Sequence, residues 1–233
     1  MAELIVALDF SDPPSAVSCL DLLPDACAVK VGSVMLARAG AGFVRGLVTA
    51  GHAVFLDPKW HDIPNTVAGA CNAAAEIGVE MVTVHASGGE AMMRAAVAAA
   101  AGRIKIVAVT VLTSHDAVSY AGVTGRNHVD LGDEVARLAE IAMRSGVDGV
   151  VCSPEEIGRV RSIVGVGRIV VPGIRRRDDA PGDQARVATP ETAVAAGATH
   201  LVVGRPITGA ADPAAAYREF LAAAQSSRSE AAP

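Results

Sequence analysis

Asp57 and Lys59 stand two residues apart just after an apolar run, Ala53–Leu56, and Asp62 follows three residues later. Positions two apart in a strand face the same side, so the pair presents a carboxylate and an ammonium to one place. Lys30 interrupts a second apolar run, Ala28–Val31. A charge inside an apolar strand is costly unless it is paired. Asp57 between Lys30 and Lys59 would meet that need, and Asp62 lies on a short loop with the reach to enter another subunit. The expected result is an alternating Lys–Asp–Lys–Asp array, the material of electrostatic and acid–base catalysis. Taken singly, each charge reads as well as a solvated strand end, and Asp9, which ends the first apolar run, reads better as a helix cap. Taken together, purely structural ion pairing is the weaker reading.

A second group suits phosphate. Gly204-Arg205 follows the apolar run Leu201–Val203, and Pro172-Gly173-Ile174-Arg175 follows Ile169–Val171. Glycine lets the backbone approach an anion, and arginine grips it with two donors. Gln184, in the long segment Arg175–Thr189, adds an amide. His85 ends another apolar run, where contact with a substrate and a hydrogen-bonded core edge are equally good readings. His52 and His200 precede runs and belong to the opposite, stability face. His115 and His128 have no partners at metal-ligand spacing.

These groups need a scaffold that brings strand ends together. Eight short runs carry β-branched residues without alternation: Leu4–Leu8, Ala28–Val31, Ala53–Leu56, Met81–Val84, Ile104–Val109, Gly149–Val151, Ile169–Val171 and Leu201–Val203. Continuous apolarity marks strands buried on both faces. Helical patterns lie between them, at Pro14–Leu23, Ser33–Ala50, Thr66–Ile77, Glu90–Ala101, Leu131–Ser145, Pro154–Ile163, Pro190–Ala196 and Pro213–Ala224. Prolines stand near several helix starts and Gly51, Gly78, Gly102, Gly146 and Gly197 follow helices. The expected fold is α/β, a single-domain (β/α)8 TIM barrel over residues 1–224, with residues 225–233 as a frayed tail. An open doubly wound sheet is the alternative. In a barrel the chemistry collects at the C-terminal strand ends. Two long segments, Ser114–Asp130 and Arg175–Thr189, read as functional loops.

Bulk properties exclude other classes. Aromatic residues make up 3% of the 233, too few for the stacking platforms of single-stranded nucleic acid. A net charge of −5 disfavours binding to a phosphate backbone. The longest uncharged alanine-rich stretch, Ala95–Gly102, is too short to span a bilayer. Cys19, Cys27, Cys71 and Cys152 form no CxxC pair and read as small buried hydrophobes in a reducing compartment. A cytoplasmic enzyme that contacts neither nucleic acid nor membrane is expected.

The segment Asp57-Pro58-Lys59-Trp60-His61-Asp62-Ile63-Pro64-Asn65-Thr66 resembles the orotidine 5′-phosphate decarboxylase family. The DxKxxD core belongs to a wider suprafamily, and the HDIPNT extension is more specific. Further matches run in the family's order, among them Val29-Lys30-Val31-Gly32, Val84-His85-Ala86, Leu112-Thr113-Ser114, Asp183-Gln184-Ala185-Arg186-Val187 and Val203-Gly204-Arg205-Pro206. Pro58 departs from the leucine usual in the family; lacking an N–H, it must end or bulge the strand. The resemblance implies decarboxylation of orotidine 5′-monophosphate to uridine 5′-monophosphate by a homodimer without cofactor or metal. It implies a catalytic array of Lys30, Asp57 and Lys59, completed by Asp62 from the other subunit, with Lys59 as proton donor. It implies substrate contacts from Asp9 and Lys30 to the ribose, with Asp62 and Thr66 across the interface, and a further substrate contact from Ile63. Thr113 would touch the pyrimidine, and Arg175, Gln184, Gly204 and Arg205 the phosphate. The Arg175–Thr189 segment is then expected to close over the substrate. The rival is an Mg2+-dependent sugar-phosphate decarboxylase or aldolase of the same suprafamily.

Overall fold

Strands that are apolar on both faces must be covered on both, and a parallel sheet closed on itself does this with side chains inside and helices outside. The computed structural model describes residues 1–23, 27–177 and 186–226. Its strands are β1 (Glu3–Ala7), β2 (Ala28–Gly32), β3 (Val54–Trp60), β4 (Met81–His85), β5 (Lys105–Val109), β6 (Gly149–Val151), β7 (Arg168–Val171) and β8 (His200–Val203). They pair in parallel in chain order, and β8 returns to β1 to close the barrel. The helices are α1 (Pro13–Leu20), α2 (Ser33–Thr49), α3 (Pro64–Ile77), α4 (Gly89–Ala100), α5 (Ala117–Thr124), α6 (Leu131–Arg144), α7 (Ile157–Val164), α8 (Pro190–Ala196), α9 (Arg205–Thr208) and α10 (Pro213–Ser226). The expected (β/α)8 barrel is the observed fold.

Strand alternation divides the apolar residues into two cores. Ile5, Ala7, Phe55, Met81, Val107, Val170 and Val202 form a buried cluster of strand residues alone, the barrel interior. Their neighbours, such as Val6, Val29, Leu56 and Val82, pack outward with helix residues Met92, Met93, Leu138 and Ile157. Each such side chain, once buried, contributes about 1.5–3 kcal/mol. Lys30, Asp57 and Thr83 continue the inward rows of Ala28, Phe55 and Met81 by two residues toward the C-terminal end. Alternation therefore delivers polar groups to the barrel mouth and apolar ones below it. Gly149 marks one tight point: a Cβ there would lie 2.1 Å from the Arg168 carbonyl oxygen, so β6 and β7 approach closely only with glycine. At the same N-terminal end of the barrel, Ala2 N–H donates to the Ala224 carbonyl at 3.2 Å, tying the start of β1 to α10.

Several local expectations change. The predicted continuous helix Ser33–Ala50 is broken at Gly40, whose φ of 66° no helix accepts. The Ser114–Asp130 segment contains a helix, α5, opened by a capping box between Asp116 and Ser119. It shows no amphipathic signal because Val118 and Val123 are exposed. Beyond β8, Arg205–Thr208 turn straight into the short helix α9. Strand β3 runs through Pro58 to Trp60, and its register against β4 shifts between Leu56 and Trp60. That is the bulge a proline without an N–H requires. Helix α10 reaches Ser226, two residues into the expected tail. Among the described residues, no helix is long and apolar enough to cross a membrane.

Candidate active site

The inward charges meet in a cavity of about 420 Å³ at the C-terminal ends of the strands. Lys30 donates to Asp9 at 3.0 Å and lies 3.5 Å from Asp57 Oδ2. Lys59 donates to the same Asp57 oxygen at 2.8 Å. The result is an unbroken chain of alternating charge, Asp9–Lys30–Asp57–Lys59, drawn from three adjacent strands. Lys30 is 9% exposed and Asp57 6%, so their charges are held mainly by each other. The Lys59 side chain is 38% exposed and opens into the cavity. Asp9 is not the cap its position alone suggests. Asp12 caps α1 by accepting from the Ser15 N–H at 2.9 Å, which leaves Asp9 for Lys30.

Local backbone geometry sets these distances. Gly32 pairs with Asp57 across β2 and β3, and a Cβ on it would lie 3.1 Å from both Lys30 Nζ and Asp9 Oδ1. Its missing side chain is the space the ammonium occupies. Lys59 has φ 55°, in the left-handed region, which costs a residue with a Cβ about 1–2 kcal/mol. Such strain persists only where surrounding contacts over-determine it. Here the Lys59 N–H donates to Thr83 Oγ1 at 2.8 Å, and that hydroxyl donates to Asp57 Oδ1 at 2.9 Å. Thr83 is fully buried. Sequence reasoning misses it, because a threonine in an apolar strand reads as one more β-branched packing residue.

The anion-binding candidates divide. Thr113, Arg175, Gly204 and Arg205 all line the cavity. Arg175 is buried and donates to the Ile174 carbonyl at 3.0 Å. The ends of its segment are zipped by the Ile174–Ala188 bridge and by Arg175 N–H to the Ala188 carbonyl at 3.0 Å. Gln184 and most of the expected closing segment, residues 178–185, lie outside the described residues. Asp62, Ile63 and Thr66 are exposed and do not line the cavity within this chain. Asp62 Oδ1 accepts the Ile63 N–H at 2.6 Å.

Other titratable groups sort by place. The His85 ring lies 5.6 Å from that of His61 at the rim. Burial, with help from His61 and Lys59, pushes the His85 imidazole down to about 4. His200 lies at the far end of the barrel, 3.4 Å from Glu3. All four cysteines are buried free thiols, and burial pushes Cys71 and Cys152 up to about 12, away from nucleophilic chemistry. No three His, Cys, Asp or Glu side chains among the described residues are placed to hold a metal. A larger cavity, about 520 Å³, lies on the flank between α8 and α10. Its Arg176 is occupied by Glu219 at 2.7 Å and by the Phe220 ring at 4.8 Å. It holds no chain of alternating charge like that at the barrel mouth.

Fold and cavity together define a barrel enzyme whose site, at the C-terminal strand ends, is built from paired ammonium and carboxylate groups. The chain matches the orotidine 5′-phosphate decarboxylase / HUMPS family over residues 2–220, and it belongs to that family. An orotidine 5′-phosphate decarboxylase from Halorhodospira halophila is 54% identical over 221 residues, covering 92% of each chain. One from Alkalilimnicola ehrlichii is 50% identical over 220 residues, covering 92% of this chain and 93% of its own. The crystal structure of an orotidine 5′-phosphate decarboxylase from Lactobacillus acidophilus aligns with a TM-score of 0.85 at 36% identity, covering 97% of this chain and all of that one.

Proposed function

We propose that this chain decarboxylates orotidine 5′-monophosphate to uridine 5′-monophosphate, the last step of de novo UMP synthesis. The observation that carries the reading is the unbroken Asp9–Lys30–Asp57–Lys59 chain at the barrel mouth of a member of this family. Breaking the C6–carboxylate bond leaves an electron pair on C6, in the plane of the ring, where no π system takes it up. The enzyme must lower that barrier by on the order of 20 kcal/mol. Lys59 is fixed by Asp57 before the substrate arrives. Its ammonium stabilises the charge as it forms and then gives C6 a proton, while CO2 leaves. Asp57 orients both lysines. Lys30 and Asp9 take the ribose hydroxyls, and Thr113 the pyrimidine edge.

Phosphate falls to Arg205, Gly204 and Arg175 at the ends of β7 and β8, with Gln184 from the segment that closes over it. Holding a phosphate far from C6 supplies binding energy that closure converts into transition-state stabilisation. Residues 1–224 form the one domain, which works in the cytoplasm as a homodimer. Asp62 and Thr66 of the partner subunit complete each site, and their exposure in the single chain supports that role; Ile63, beside them, is a further substrate contact. The reaction so written calls on no cofactor.

The test follows the ultraviolet absorbance of orotidine 5′-monophosphate in EDTA, with wild type and with Lys59→Ala. Rapid loss with wild type and near-silence with the variant are expected. No loss with wild type, followed by turnover of a sugar phosphate once Mg2+ is added, would hand the chain to the Mg2+-dependent branch of its suprafamily.

A further inference from the structure

We propose that Thr83 is a positioning residue for the reacting pair, holding the Lys59 backbone and the Asp57 carboxylate together through one buried hydroxyl. The inference rests on the assignment of Lys59 and Asp57 as the catalytic pair. A hydroxyl has one proton to give and lone pairs to receive. The Asp57 carboxylate can only accept, and the Lys59 amide can only donate. The hydrogen bonds at 2.9 Å and 2.8 Å therefore have a single possible direction each, and together they use the hydroxyl's one proton and one of its two lone pairs.

Both contacts fall where β3 is least regular. The strand bulges between Leu56 and Trp60, and Lys59 takes a left-handed backbone at φ 55°. A bulge leaves backbone groups without ladder partners. Thr83, one strand away and fully buried, supplies the acceptor that the Lys59 N–H lacks in β4's backbone ladder. The same atom fixes one oxygen of Asp57, so the other oxygen points at Lys59 Nζ, 2.8 Å away. The lysine is thus held at its root and at its tip, and Thr83 governs both. Thr83 does not line the cavity, so it acts on the substrate only through its two neighbours.

Thr83→Val keeps the shape and removes the hydroxyl; Thr83→Ser keeps the hydroxyl. Steady-state kinetics should show kcat down about 10- to 100-fold in Thr83→Val, since small misplacements of reacting groups cost this much, with KM within about twofold because the phosphate grip is untouched. Thr83→Ser should recover most of kcat, which a merely space-filling role for Thr83 would not produce. Independently of activity, hydrogen exchange followed by NMR should show the Lys59 amide of Thr83→Val opening at least about tenfold faster than in wild type and Thr83→Ser. Thr83→Ala removes the same hydroxyl should the valine variant not fold. Wild-type kcat in the variants lacking the hydroxyl overturns the proposal, as does an unchanged Lys59 amide. A wild type that leaves orotidine 5′-monophosphate untouched would instead sink the assigned reaction, and the exchange measurement would still report on Thr83.

Discussion

His85 sits at the rim of the charge chain and feels two of its members, Lys59 and Asp57. Its imidazole is lowered from an ordinary 6.5 to about 4, first by burial, then by repulsion from His61 and Lys59, with Asp57 opposing. Between those two values the unfolded chain binds a proton that the folded protein refuses. Neutral His85 thus contributes stability that is complete above pH 6.5 and is lost as pH falls through about 4. Urea unfolding at a series of pH values should show an acid limb in that window, flattened in His85→Gln. An identical limb in the variant would remove His85 from the account. At this scale the meeting of Asp57, Lys59 and Lys30 was legible, because charges in apolar strands need partners, although each alone read as well as a solvated strand end. Asp9 was misread in isolation, since an aspartate after a strand looks like a cap until Asp12 is seen to fill that place. Thr83 was invisible because its importance lies in a partner made by a bulge, and no spacing within the sequence announces a cross-strand hydroxyl.

Among the elements, three segments after the strands are tied by one buried ion pair. Arg186 bonds Glu156, and Glu156 also accepts from the Ser153 hydroxyl and, at 2.8 Å, from the Ser153 N–H. Arg186 reaches the Leu112 carbonyl at 3.5 Å, beside Thr113 of the cavity. The ends of β5, β6 and the segment before α8 are thereby joined. Removing one member of a buried pair strands the other charge and costs about 3–5 kcal/mol. Arg186→Met and Glu156→Gln should each lower the melting temperature by on the order of 10 °C, as read by calorimetry. The double variant should lose less than the sum, because it leaves no orphan charge. Additive losses would mean that the two residues act separately. Strand and helix positions were mostly legible from continuous apolar runs, prolines and glycines. The exceptions share a cause: α5 and α9 lack an apolar face or the length to show one, and the break at Gly40 is a backbone choice that glycine permits without demanding.

For the molecule as a whole, eight buried strands in one chain made closure the natural reading, and the barrel closes in chain order. Assembly is a different matter, because an interface leaves no periodic mark on the sequence. If each site borrows Asp62 from the partner subunit, Lys59→Ala and Asp62→Ala should complement. In the mixed dimer one site keeps its own Lys59 and receives an intact Asp62 from across the interface. Two inactive preparations, unfolded together and refolded as a mixture, should then regain decarboxylation that neither shows alone. Continued silence would confine each site to one chain. The tie between Ala2 and Ala224 has its own bearing on architecture at this scale. It gathers the beginning of β1 and the end of α10 at the base of the barrel, a full strand length from the mouth. A handle, an anchor or a second enzyme joined ahead of Ala2 would therefore leave the fold at this base, on the side away from the doorway through which nucleotide enters and CO2 escapes.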